Sequence, residues 1–195
     1  MKLNLGCGGD QREGWHNVDK VAACTPDEVV DLEQFPWPWP DDSVSEVLLK
    51  HALEHLGAET EVYLNIIKEL WRVCRADARI KIVVPHPRHD SFLSDPTHVR
   101  AITPQGLEMF SQKKNREWMA ANNANTPLGI YLGVDLEIVS VDFAPDEPWR
   151  EELAKRRISM QQFAEAIRRF NNVVRETTVI LRVVKPLEGQ SDAPT

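Results

Sequence analysis

A chain of 195 residues, 42% hydrophobic and 27% charged, holds enough apolar material for one domain with a substantial core. A formal net charge of −7 argues against nucleic acid as a default partner. Without a long uncharged apolar run, a membrane span is not expected either.

Apolar runs of strand length alternate with helical stripes, which favours an α/β sheet. The first strand contains Leu3 and Leu5 and exits into Gly6-Cys7-Gly8-Gly9. The chain thus opens directly on a strand, which leaves no room for a signal peptide. Trp15 to Asp19 reads as the second strand, and Glu28 to Leu32 as a short third one carrying Asp31 at its end. Phe35-Pro36-Trp37-Pro38-Trp39-Pro40 can only be an irregular extended crossing. Val44 to Lys50 is a buried fourth strand. A helix follows over about Glu59 to Arg75, with Tyr63, Ile66, Ile67, Leu70 and Cys74 as its apolar stripe. Arg79 to Pro85 is the fifth strand. Thr103-Pro104 reads as an N-cap with proline at the first helical position, opening a short helix through Leu107 and Phe110.

The polar, asparagine-rich stretch 112–128 reads as a mobile insertion. Asp135 to Phe143 is a sixth strand. Helices follow near Trp149 to Arg157 and Ser159 to Phe170, the second opened by a Ser159/Gln162 capping box; the 149–172 segment reads as an insertion or lid. Thr177 to Val184 is the last strand. The expectation is one domain over 1–186 and a disordered tail over 187–195. Cys7, Cys24 and Cys74 have no metal or disulfide spacing, which points to reduced thiols and a cytoplasmic setting. Lys113-Lys114 with Arg116, and Arg156-Arg157, read as solvated faces, with a grip on an anionic substrate as the alternative.

The chemistry is concentrated at strand ends. Glycines after the first strand let a ligand approach the main chain. An acid at the end of the second strand, Asp19, can accept hydrogen bonds from both hydroxyls of a ribose. A dinucleotide fingerprint needs a helix directly after its glycines to hold the pyrophosphate. Only Asp10 to Gly14 separate Gly9 from the second strand, so a cofactor with ribose and adenine but no phosphate fits better.

These passages resemble the class I S-adenosylmethionine-dependent methyltransferases, of the small type 11 kind. The likeness rests on Leu3-Asn4-Leu5-Gly6-Cys7-Gly8, on Asn17-Val18-Asp19, and on Val30-Asp31-Leu32-Glu33 with the Pro-Trp-Pro-Trp crossing. It rests also on the string from Val44 through His51-Ala52-Leu53-Glu54-His55-Leu56, and on Glu69-Leu70-Trp71-Arg72-Val73 before the fifth strand. The resemblance implies a Rossmann-like, mostly parallel sheet of seven strands with an antiparallel last strand, here with the first helix shortened or missing. It implies S-adenosylmethionine as cofactor, held by Asn4, Leu5, Gly6, Cys7, Gly8, Asp19, Asp31, Leu32 and His51. Gly6 and Gly8 would line its amino-acid end, Asp19 its ribose, and Asp31 and Leu32 its adenine. Two departures stand out: Asn4 occupies a position where the family usually has a carboxylate, and a loop replaces the first helix.

Five of the six histidines fall between positions 51 and 98. His51-Ala52-Leu53-Glu54-His55 matches the H-x-x-E-H string of some zinc peptidases, but that needs a long helix, and here a buried strand leads straight into it. His86, Asp95 and His98 follow the fifth strand and belong on the rim where ligands of such sheets bind. The candidate catalytic residues are therefore His51, His86, Asp95 and His98. The favoured role is a histidine base that removes a hydroxyl proton, oriented by an Asp–His pair. The alternative is a divalent metal held by His51, His86, His98 and Asp95. The function expected is methyl transfer to a small-molecule or glycan acceptor, at oxygen. Its rivals are a non-catalytic cofactor-binding module, a metal-dependent enzyme using that rim, and a nucleic-acid methyltransferase, which the charge disfavours.

Overall fold

Alternation in the first strand sets the whole architecture. In β1 (Lys2–Leu5), Leu3 and Leu5 are fully buried on one face of the sheet, while Lys2 and Asn4 point to the other. The computed structural model describes residues 1–186, and the tail expected over 187–195 lies outside the described residues. From β1 the sheet extends through β2 (His16–Asp19) to β3 (Glu28–Val29) on one side. On the other it runs through β4 (Val44–Lys50), β5 (Cys74–Pro85) and β7 (Val174–Val183) to β6 (Leu136–Pro145). Neighbours pair in parallel except where β7 lies antiparallel between β5 and β6. The seven strands form the α/β, Rossmann-like sheet the sequence leads one to expect.

Register aligns one apolar row across five strands, Leu3–Val47–Ile80–Leu181–Ile138. Onto this face pack α1 (Thr60–Val73), through Tyr63, Ile66, Ile67, Leu70 and Val73, and α3 (Pro104–Glu108), through Leu107. The matching row on the opposite face is Lys2–Glu46–Arg79–Arg182–Glu137. Opposite charges meet there, with Lys2 Nζ 2.7 Å from Glu46 and Arg182 joined to Glu137. The other α-helices among the described residues are α2 (Asp90–Leu93), α4 (Gln112–Ala120), α5 (Leu128–Leu132), α6 (Trp149–Ala154) and α7 (Met160–Arg169). The last two enclose a small second core of Phe163, Ala166, Val173 and Val174. The Ser159/Gln162 capping box forms as read, and so does the Thr103 cap, whose hydroxyl accepts from Gly106 N–H. Among the described residues no helix is long and apolar enough to cross a membrane.

Four expectations change. The helix after β4 stops at Val73, so Cys74 opens β5 five residues before the expected start at Arg79 instead of closing the helical stripe. The third strand stops at Val29, so Asp31 and Leu32 sit in the turn beyond it. The polar stretch 112–128 contains a helix, α4, because Ser111 caps it and Asn115 is fully buried beneath it. Asn115 donates to Met109 O and accepts from Ile130 N–H, tying α4 to α5. The last strand begins three residues early, at Val174, which matters for the site below.

The link between β1 and β2 contains no helix, as its length requires. Two buried amides hold it instead. Asn4 donates to Asp10 O (2.8 Å) and to Asn17 Oδ1 (3.0 Å). Asn17 also accepts from Arg12 N–H and donates to Arg12 O, Trp15 O and Asp27. Replacing Asn17 with Ala strands several of these groups. The expected loss is about 2–3 kcal/mol in urea unfolding, since buried groups without partners carry the desolvation cost.

Candidate active site

The carboxyl ends of β1, β2 and β4 frame an open cleft of about 150 Å³, lined by Gly6, Asp19, Asp31, Leu32 and His51 among others. Its apolar wall comes from Val30, Leu32, Ala52 and Leu56. Asp19 ends β2, and both its oxygens are aimed by the backbone. Oδ2 accepts from Gly8 N–H (2.8 Å) and Oδ1 from Val21 N–H (2.9 Å), each keeping a second lone pair. Asp31 is braced by Glu33 N–H on Oδ1.

Gly6 and Gly8 both have positive φ, +66° and +49°, and serve differently. A Cβ on Gly6 would lie 2.6 Å from Ala52 Cβ, so the β1 turn can pass the β4 turn only without a side chain. A Cβ on Gly8 would meet nothing within 4 Å, leaving the main chain open to a ligand. Gly6→Ala is therefore expected to lower stability by about 1–2 kcal/mol from backbone strain alone, with more from the Ala52 contact, as read by thermal denaturation.

Asn4, Leu5 and Cys7 do not line the cleft. Leu5 and Cys7 are buried, and burial pushes the Cys7 thiol above its ordinary value. Asn4 lies on the opposite face, spent on the loop 10–14. An amide rather than a carboxylate stands there because it must donate to a carbonyl and to another amide oxygen.

His51 ends β4 with φ +51°, a conformation few non-glycine residues hold without support. Its support is ionic. Nε2 lies 2.8 Å from Glu176 Oε1 and Nδ1 lies 3.5 Å from Glu54 Oε1. The Glu54 carboxylate, aided by Glu176 and opposed by partial burial, holds this imidazole above its ordinary pKa. Both ring nitrogens face carboxylates, so in this arrangement neither is free to take a proton from an acceptor. Because β7 is antiparallel, its first residues reach the rim where the parallel strands end, and this brings in Glu176.

Beyond His51 opens a second cleft of about 430 Å³, lined by Glu54, His55, Asp95, His98, Arg175 and Glu176 among others. His98 donates from Nδ1 to Phe92 O (2.9 Å), and its Nε2 lies 3.7 Å from Asp95 Oδ2. Asp95 Oδ1 accepts from Thr97 N–H and its hydroxyl, which lowers the pKa of this exposed carboxyl. His86 is not part of this cluster. It stands edge-on to Phe143, and its Nδ1 accepts from Arg88 N–H. The rim set of His51, His86, His98 and Asp95 is thus not assembled. Glu54, His55, Arg175 and Glu176 are the residues that sequence reasoning left out.

No protein-family model and no curated protein matches the chain. Solved structures do. A methyltransferase dependent on S-adenosylmethionine from Archaeoglobus fulgidus superimposes with a TM-score of 0.62 at 18% identity, over 93% of this chain and 85% of that one. Another from Methanosarcina mazei gives 0.56 at 12% identity, over 95% and 92%. The fold is that of S-adenosylmethionine-dependent methyltransferases. This methyltransferase fold is shared by the 4+2 cyclase SpnF, with a TM-score of 0.54 at 13% identity over 95% of this chain and 74% of that one. A methyltransferase fold therefore does not assign the reaction, which has to be argued from the two clefts.

Proposed function

We propose that this protein transfers a methyl group from S-adenosylmethionine to a small-molecule or glycan acceptor, at oxygen. The observation that carries the reading is the convergence of Gly6, Asp19 and Asp31 on one cleft that shares His51 and His55 with a second. The first cleft suits the cofactor: an oriented carboxylate for a diol and an apolar wall for a base, with the turn at Gly6 beside them. Asp19 would hold the ribose, Asp31, Val30 and Leu32 the adenine, and the turn at Gly6 and Gly8 the amino-acid end. When bound, the cofactor supplies a methyl group already activated on a sulfonium sulfur.

The remaining work is alignment and proton removal. His51, held between Glu54 and Glu176, stands at the junction of the clefts and forms the wall against which the acceptor is placed. The proton of an acceptor hydroxyl passes to the Asp95–His98 pair, where Asp95 Oδ2 makes no hydrogen bond among the described residues. Arg88 donates to Ile167 O and Arg168 O, which anchors α7 to the loop after β5 and supports the reading of 149–172 as a lid.

The test is calorimetry with S-adenosylhomocysteine, followed by mass spectrometry of hydroxylated acceptors incubated with isotopically labelled S-adenosylmethionine. A binding isotherm and a labelled methyl ether are expected. Absence of heat at millimolar ligand would sink the reading.

A further inference from the structure

Glu54 sits in the 3₁₀ turn Leu53–His55 and is 1% exposed. Among the described residues neither of its oxygens has a hydrogen-bond donor. The nearby cation, His51 Nδ1 at 3.5 Å, is not at hydrogen-bonding distance and is engaged through Nε2 with Glu176. A buried carboxylate with one shared cation and no hydrogen-bond donor is costly, and a closely bound metal ion would complete it. Glu69 shows what completion looks like: it too is largely buried, and it accepts from Arg72 and from Trp37 N–H.

Two imidazoles lie where a completing ion would need them. The ligand-capable atoms of Glu54, His55 and His98 are all within 4.8 Å of one another. One nitrogen of each ring is already committed. His98 Nδ1 faces Phe92 O at 2.9 Å, and His55 Nδ1 faces Thr97 O at 3.2 Å. A carbonyl only accepts, so Nδ1 carries the proton in both rings and Nε2 keeps its lone pair. Proteins fix metal-binding imidazoles in this way, through an outer carbonyl. His98 is further held flat against Phe92 and beside His55, with ring centroids 5.2 Å and 4.6 Å away.

We infer that Glu54, His55 and His98 form a divalent transition-metal site open to the second cleft. Two imidazoles and one carboxylate suit Zn²⁺, Mn²⁺ or Fe²⁺, whereas Mg²⁺ and Ca²⁺ prefer all-oxygen sets. Three protein ligands leave coordination positions free on the side where an acceptor enters. An acceptor with two neighbouring oxygens, such as a vicinal diol or a hydroxy acid, would fill them. That assignment of acceptor class rests on the methyl-transfer reading; the metal site does not. With His98 as ligand, Asp95 alone keeps the role of proton acceptor.

The test uses the full chain, freed of metal with a chelator and titrated with Co²⁺, and with Zn²⁺ against a chromophoric competitor. A visible Co²⁺ absorption band and Zn²⁺ uptake are expected. Glu54→Gln and His98→Ala should each weaken uptake at least tenfold, and His86→Ala should leave it unchanged. If circular dichroism shows Glu54→Gln unfolded, His55→Ala, at a partly exposed position, carries the same comparison. No uptake at millimolar metal, or uptake indifferent to His55→Ala and His98→Ala, overturns the site. Calorimetry with S-adenosylhomocysteine on the same chelated samples reads the other cleft independently. Heat retained without metal uptake removes the metal site alone. Metal uptake without that heat keeps the metal site and removes the methyl-transfer reading.

Discussion

Replacing Asp19 with Ala is expected to weaken S-adenosylhomocysteine binding by about 1–3 kcal/mol, roughly 5- to 150-fold, through loss of charged hydrogen bonds to a ribose. The carboxylate is preorganised by Gly8 N–H and Val21 N–H, so little ordering remains to be done when ligand arrives. Asp19→Asn keeps the shape but loses the charge and replaces one acceptor with a donor. Its affinity should fall between wild type and the alanine variant. Both donors that Asp19 serves lie near solvent, so water can replace the carboxylate and the fold should persist. Calorimetry measures the affinity and circular dichroism the fold. An alanine variant that binds as tightly as wild type would show that Asp19 does not touch the ligand.

Arg72→Ala should give the largest loss of stability, about 3 kcal/mol, because it leaves the largely buried Glu69 without its cation. Arg72 holds the proline-rich crossing from α1. Its guanidinium donates to Glu69 through Nε and Nη2, and to the carbonyls of Trp39 (3.0 Å) and Trp37 (3.1 Å). Glu69 in turn accepts from Trp37 N–H at 2.7 Å. Burial works against ionisation of Glu69, yet Arg72 and the Trp37 amide hold its pKa below the ordinary value. The partner Asp41 is largely exposed and contributes little. For a domain of this size the melting temperature should drop by about 6–12 °C. Arg72→Lys should recover only part of this, since an ammonium cannot make the same fork of contacts. A melting temperature within 2 °C or so of wild type, on that same scale, would contradict the clamp.

Most of the strands and the first cleft were legible because they follow from short-range rules, whereas the sheet's pairing came from the family likeness. Glycine after β1 and acids after β2 and β3 are local signals, and each lies at the turn where the sheet needs it. The Glu69–Arg72 string was visible as a likeness, but its physical role was not. Its partners Trp37 and Trp39 lie more than thirty residues away.

The rest failed for reasons of the same kind. Composition made 112–128 look unstructured, because one buried asparagine that anchors a helix cannot be told by composition from the exposed ones around it. Asn4 was grouped with the cofactor residues because it is adjacent to them in the string; strand alternation already put it on the other face. Glu54 and His55 were in plain sight within the His-x-x-Glu-His string. A metal reading of that string was set aside because it asks for a long helix, yet the 3₁₀ turn that follows the strand sends these side chains toward His98. Glu176 could have been found by extending the last strand three residues and noting that its antiparallel course returns it to the rim.

His51 forms part of the wall of both chambers, fixed in a left-handed turn and paired at each ring nitrogen with a different carboxylate. On the methyl-transfer reading proposed above, donor and acceptor would meet the same ring, and any coupling it carries is reciprocal. Whatever factor the donor adds to the acceptor's affinity, the acceptor must return to the donor. If the ring carries such a coupling, titrating the nucleoside with and without a molecule in the second cleft reads it as a shift in affinity, equal in both directions.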